Sequence, residues 1–287
     1  MKQFFSMLGV ITLVCFSFYY TNQVAKIVRG NDPLMKEILK TKTSYEVQAV
    51  NASINNETII PGLNGKTVNL DRSYSNMKRL GKFSKDLLVF NEVIPDISLT
   101  KKYDKYIVKG NKEIDAIALV FPANSIDYVE DVLNILTDKD VSATFFIDGV
   151  WAENNLTLIE NLAKNGNEIE NFGYDGTYSK DRLIWTSNML EAITKEEPKY
   201  CYTKYRDDSL LDLCKSYHMY TVRPTIITGS YPFLTVKRSI TKGAIVNMEL
   251  NTTTVKELGA IISYIKQKGY QLVTLKSILS ENLIIEK

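Results

Sequence analysis

The chain has 287 residues, 45% hydrophobic and 24% charged, with 35 basic against 33 acidic side chains and a formal net charge of +2. That size supports a full hydrophobic core plus an extension, and the even charge balance, without a basic stripe, excludes nucleic acid as the main partner. A single histidine, His218, excludes any site needing two, and three cysteines without a C-x-x-C pair exclude a zinc ribbon or thioredoxin-type redox centre.

The first element is apolar. Residues 4–20, FFSMLGVITLVCFSFYY, run for 17 positions without a charge, flanked by Lys2, Lys26 and Arg29. This is the lower end of the length of a membrane-spanning helix, about 17–25 residues. A cleaved signal peptide needs a shorter apolar run and a small-x-small site, which FYYTNQVAK does not offer, and the terminal aromatics suit a membrane interface. The expectation is an uncleaved signal-anchor at 1–20, making a single-pass cell-membrane protein with its globular part extracytoplasmic; a cleaved signal is the alternative. Residues 21–58 are polar and irregular and read as a linker or stalk, with one short helix at 34–40. Asn51, Asn56, Asn155 and Asn251 head N-x-S/T sequons, which matter only in a eukaryotic secretory pathway.

Residues 59–111 read as a small α+β extension. PGLNGKTVNL carries turn residues and then a strand pattern. DRSYSNMKRLG opens with an acidic cap, places Tyr74, Met77 and Leu80 at helical spacing, and stops at Gly81. DLLVFNEVIP reads as a strand ended by Pro95.

From residue 112 to the end, strand and helix patterns alternate. Apolar strand runs occur at 116–121, 142–147, 167–172, 198–203, 219–224, 244–249 and 271–275. Between them lie helical patterns such as Val129, Val132, Leu133, Leu136 and Leu258, Ile261, Ile262, Ile265. The fold class is α/β with a parallel sheet, and seven or eight such units close most easily into a barrel. An open doubly wound sheet is the alternative, although no G-x-G-x-x-G follows the first strand. A barrel builds its active site at the C-terminal strand ends. Asp148, Asp175 and Glu249 fall there as candidate catalytic carboxylates, and Trp151, Tyr174, Tyr178, Tyr205 and Tyr231, with Arg206, as candidate sugar contacts. His218 falls at the opposite end. Cys201 and Cys214 are compatible with either a disulfide or two buried thiols.

Four segments together carry a resemblance. SATFFIDGVW (142–151), GNEIEN (166–171), KGAIVNMEL (242–250) and KGYQLVTLKSIL (268–279) stand in the order and spacing of the polysaccharide deacetylase (NodB-homology) family, which the chain resembles from about 115 to 280. The resemblance implies that family's barrel. It also implies hydrolysis of a glycan N-acetyl group, with a divalent metal on one Asp and two His, a second Asp as base and a late His as acid. Position by position these residues are missing. The paired aspartates fall on Pro122 and Ala123, the histidines on Phe172 and Gly176, the Arg-Pro-Pro-Tyr segment on 202–205, and the late His-Asp on Glu249 and Leu250. The resemblance therefore implies no bound metal or cofactor and a pseudoenzyme that binds a cell-envelope polysaccharide or envelope protein. The alternative is an active carbohydrate hydrolase. Asp148, Asp175 and Glu249 would then hold a hard cation for N-deacetylation, or two of them, about 5–9 Å apart, would cleave a glycosidic bond.

Overall fold

The computed structural model describes residues 12–17, 19–20, 29–125 and 127–282. The expected anchor at 1–20 lies largely outside the described residues; within it, 12–17 and 19–20 are helical and exposed. No helix among the described residues is long and apolar enough to cross a membrane.

The chain divides into two units, Met1–Ala49 with Asn64–Ile94, and Val50–Leu63 with Pro95–Lys287. This division runs along different lines from the segments expected at 21–58 and 59–111. The smaller unit takes the helix Pro33–Thr41 from the expected stalk, and Leu34, Met35 and Ile38 of that helix are buried. They pack with Tyr74 and Met77 of the helix Leu70–Lys78 and with Val68. Asn69 caps the second helix through its side chain, accepting from the Arg72 N–H, so the start lies two residues before the expected Asp71. Strands β3 (Gly65–Val68) and β4 (Phe90–Val93) pair antiparallel across this unit.

The larger unit carries the main sheet. Its strands are β1 (Ser53–Asn55), β2 (Thr58–Ile60), β5 (Tyr106–Ile107), β6 (Ala116–Ala123), β7 (Thr144–Ile147), β8 (Glu168–Asn171), β9 (Tyr200–Tyr202), β10 (Tyr220–Val222), β11 (Ile226–Ile227), β12 (Ile245–Asn247) and β13 (Gln271–Val273). All seven expected strands form. The sheet order among the described residues is β1-β2-β5-β10-β9-β8-β7-β6-β12-β11, with β13 beside the first half of β6. The expected closed barrel does not form among the described residues; the sheet is a half-barrel. The edge of β10 that a closing strand would need is taken by β5, which pairs with it in parallel and passes the sheet on to β2. β10 and β11 follow one another in the chain without pairing.

Side-chain parity on the strands positions everything that follows. On β6, Ile117, Leu119, Phe121 and Ala123 join the core under the helices Val129–Asp138 and Thr252–Gln267. Ala116, Ala118 and Val120 belong to a second core with Phe146, Tyr200, Tyr202, Val222 and Ile245 on the other face. β6 is apolar on both faces because both are covered. Along β8 the same alternation sends Asn171 to the helix side, where its amide donates to the Leu183 carbonyl (3.0 Å) and the Ser187 hydroxyl (2.8 Å). Phe172, one residue on, packs against the inner core.

Cys201 of β9 and Cys214 of the helix Asp208–Ser216 form a disulfide, with Cα atoms 6.6 Å apart. This decides between the two states that spacing left open. His218 is exposed, edge-on to Tyr103 at 5.5 Å, at the start of β10.

Candidate functional site

The C-terminal ends of the strands hold two cavities. One, of about 310 Å³, is lined by Pro122, Phe172, Tyr202, Lys204, Asn247 and Glu249 among others. These are the inner-face positions of β6, β8, β9 and β12 and their direct continuations, so strand parity aims them at one space. Pro122 is tolerated in β6 because the β6–β12 pairing ends at Val120↔Asn247, where no further donor is needed on that side. Phe172 fills the floor, edge-on to Tyr202 at 5.5 Å. The Tyr202 hydroxyl donates to Asn247 Oδ1 at 2.6 Å, and burial pushes that phenol above its ordinary range. Lys204 Nζ donates to Glu249 Oε1 at 2.8 Å, and this hydrogen bond holds Lys204 above its ordinary range. Glu249, expected as a catalytic carboxylate, is thus the partner of a fixed ammonium at the rim.

The second cavity, of about 480 Å³, has Asp148, Trp151 and Asp175 in its lining, with Asn124, which also lines the first. Asp148 is buried and caps the helix Gly149–Asn154. One carboxylate oxygen accepts from the Val150 N–H (2.9 Å) and the other from the Gly176 N–H (2.9 Å). Both oxygens are engaged by backbone donors, which explains the acid at this position without chemistry. Asp148→Ala is expected to cost about 1–2 kcal/mol in urea unfolding, with Asp148→Asn intermediate because it keeps one acceptor.

The loop that follows β8 is built as a turn. The Asn171 side chain accepts from the Gly173 N–H at 2.7 Å, and Gly173 has φ +77. A Cβ there would meet the Thr177 carbonyl oxygen at 2.4 Å, so only glycine fits. Tyr174 and Thr177 form an antiparallel bridge around Asp175 (φ +53) and Gly176 (φ +64). Asp-Gly with both φ positive is a two-residue hairpin turn of the type that matches strand twist. Asp175 is exposed at its tip. Thr186 and the Gly149 N–H both donate to the Gly173 carbonyl, and Arg182 donates to the Tyr174 carbonyl at 3.2 Å and to the Thr177 hydroxyl. Tyr178 lies beneath the loop, donating to the Asn171 carbonyl (3.0 Å) and accepting from the Tyr202 N–H (3.2 Å).

The expected sugar contacts separate by exposure. Trp151 is only 6% exposed and packs in the main core, so neither ring face is free for stacking; its Nε1 is buried without a partner among the described residues. Tyr205 is 71% exposed. Arg206 is spent on Asp208 (2.9 Å) and Glu57 (2.7 Å). Tyr174 is half-buried, its hydroxyl donating to Glu153 Oε1 at 3.1 Å. Residue-type reasoning passed over Tyr202, Asn247 and Trp185. The first two were within reach, since each lies two positions before Lys204 or Glu249 on the same inner face.

The residues present do not fit the divalent metal implied by the family resemblance. Phe172 has no lone pair, Gly176 has no side chain, and both oxygens of the nearby Asp148 are taken. Among the described residues, no three His, Cys, Asp or Glu side chains are grouped to hold a metal ion.

A family model for polysaccharide deacetylase matches residues 109–207. The uncharacterized protein YlxY of Bacillus subtilis is 32% identical over 281 residues, covering 91% of this chain and 88% of that protein. BA3943 of Bacillus anthracis, described as a CE4 family pseudoenzyme, superposes with a TM-score of 0.67 at 29% identity, covering 88% of this chain and 96% of that one. A BA3943 mutant is described as having restored enzymatic activity. Bacillus subtilis PdaA, a family 4 carbohydrate esterase, shares the fold at 17% identity, with a TM-score of 0.54 and coverage of 80% of this chain and 97% of that one. With 32% identity sustained over nine-tenths of its length and a polysaccharide deacetylase model matching residues 109–207, the chain belongs to the polysaccharide deacetylase family.

Proposed function

We propose that this chain is a membrane-anchored, non-catalytic polysaccharide deacetylase-like protein whose extracytoplasmic domain binds a cell-envelope glycan. The observation that carries this reading is the composition of the strand-end cavity: Pro122 and Phe172 line it, and its one close carboxylate–ammonium pair, Glu249 with Lys204, is already neutralised. A deacetylase needs a Lewis acid and a free base at that place. The likeness to BA3943, itself described as a pseudoenzyme, supports the same reading. The uncharged run at 4–20 supports anchoring, and the Cys201–Cys214 disulfide suits an oxidising compartment outside the cytoplasm.

The purified full-length protein is expected to carry no stoichiometric divalent metal by elemental analysis and to release no acetate from peptidoglycan. It is also expected to co-sediment with purified peptidoglycan sacculi. A tight equivalent of Zn²⁺ or Ni²⁺ with acetate release would return the active-hydrolase reading, in which Asp148, Asp175 or Glu249 must be essential. Absence from the sacculus pellet would replace the glycan with an envelope protein as partner.

A further inference from the structure

Trp185 lies on the helix Lys180–Thr194, whose buried face is Leu183, Thr186 and Leu190. Two residues beyond Leu183 is roughly 200° around a helix, so Trp185 points away from the core, and its indole is 56% exposed. It is nevertheless fixed: Trp185 Nε1 donates to Glu153 Oε1 at 3.0 Å, and the Tyr174 hydroxyl donates to the same oxygen at 3.1 Å. One carboxylate oxygen therefore ties two aromatic rings from two elements. That bond to Glu153 also holds the Tyr174 phenol above its ordinary range.

Tyr174 is held a second time. Its ring edge occupies the space where a Cβ of residue 149 would lie, 2.4 Å from Tyr174 Cδ2, so Gly149 is what admits it. The Arg182 guanidinium stands over the ring at 5.9 Å. The free aromatic surface is thus mainly the indole, with Tyr174 as its fixed neighbour. Val150, Glu153 and Asn154 share one face of the helix Gly149–Asn154 by their spacing of three and four. Val150 and Asn154 line the 480 Å³ cavity, together with Asn155 and Asp175. The immobilised ring is therefore tied through Glu153 to the helix whose Val150 and Asn154 line an open pocket with carboxamides and a carboxylate.

We propose that Trp185 and Tyr174, pinned by Glu153, form a stacking platform for a neutral pyranose chain, with the cavity of Asn154, Asn155 and Asp175 taking the hydroxyls or amides of the adjoining sugar. The C–H face of a pyranose matches an indole whose orientation is already fixed, so little ordering entropy is lost on binding. The two acidic side chains, Glu153 and Asp175, set against Arg182 disfavour a polyanionic chain. This site rests on the glycan-binding reading but moves it outside the strand-end cavity of Phe172 and Glu249.

The test titrates full-length protein with the N-acetylglucosamine tetramer by calorimetry and tryptophan emission, with tetragalacturonate as the anionic control. The chain has two tryptophans, so Trp151→Phe leaves Trp185 as the sole reporter. Binding is expected to quench that emission and shift it to the blue. Trp185→Ala is expected to weaken binding at least tenfold with unchanged circular dichroism and melting temperature. Glu153→Ala weakens it several-fold, and Glu153→Gln, which keeps an acceptor for both donors, restores most of the loss. Equal affinity of wild type and Trp185→Ala for the tetramer overturns the platform while leaving glycan binding intact. Tighter binding of tetragalacturonate overturns the neutral-chain assignment. Failure of the wild type on both the tetramer and sacculi overturns the glycan reading itself.

Discussion

Glu170→Ala is expected to destabilise the protein by about 2–6 kcal/mol in urea unfolding, because two buried backbone donors lose their acceptor at about 1–3 kcal/mol each. Glu170 is 4% exposed on the inner face of β8, at the end of the sheet opposite the strand-end cavities, and one of its oxygens accepts from the N–H groups of Lys199 (2.7 Å) and Tyr200 (2.8 Å). Glu168, two residues earlier on the same face, accepts from the Thr144 hydroxyl at 2.7 Å and from the Lys276 N–H at 3.0 Å. Burial pushes the Glu170 carboxyl well above the usual carboxylate range, and the neighbouring Glu168 charge adds to the rise. A further cavity, of about 490 Å³, adjoins these two carboxylates, and the other charged or titratable groups lining it are Lys199 and Tyr200 of the β9 segment, Lys276 paired to Glu196 at 2.9 Å, and Glu197.

The sign follows from linkage. A folded-state value raised above the unfolded one means that the native state holds the proton more tightly. Stability from this group is complete below the ordinary carboxylate range and is lost as pH rises through the raised value. Wild-type stability is therefore expected to fall as pH rises above the ordinary carboxylate range and through the raised value. Glu170→Gln keeps an acceptor for both N–H groups and cannot ionise. It is expected to flatten that limb and to exceed wild type at the alkaline end. An unchanged slope in the Gln variant would show that the pH dependence arises elsewhere.

Removing the Cys201–Cys214 bridge is the second large effect. The bond closes a loop of 13 residues between β9 and the end of the helix Asp208–Ser216, and both cysteines are fully buried with Leu183, Leu210 and Met219. Loop-closure entropy for that length gives a loss of about 3 kcal/mol for the Cys201→Ala/Cys214→Ala double variant. Thiol labelling in denaturant should find one reactive thiol, Cys15, before reduction and three after. Three thiols before reduction, or a double variant as stable as wild type, would remove the bridge from the account.

Much of the larger unit was legible residue by residue. The seven strand runs and the helices between them follow from the period of the apolar residues, and the inner positions follow from parity on each strand. Closure of the barrel was not legible, because it depends on which strand takes the edge of β10. The two-residue β5, Tyr106–Ile107, is too short to carry a strand pattern, yet it occupies that edge. The polar text of 21–58 likewise hid the helix face of Leu34, Met35 and Ile38, whose partners Tyr74 and Met77 lie far along the chain.

The candidate site divides in the same way. The sequence determined what cannot happen at the positions that the resemblance assigns to the family's ligands: Pro122, Ala123, Phe172 and Gly176 have no side-chain lone pairs for a metal, in any fold. The Asp-Gly pair at 175–176 also tolerates the positive φ that both residues adopt in the hairpin turn. Only the tertiary structure decided what the remaining polar groups do. An aspartate has the same oxygens whether it is a base or a cap, and the Val150 and Gly176 N–H groups claim those of Asp148. A tryptophan is the same ring in a core or on a surface. The partners around it bury Trp151 and leave Trp185 bound by its edge to Glu153 with its face open, because side-chain identity sets what a group can offer and long-range packing sets what is left to be offered.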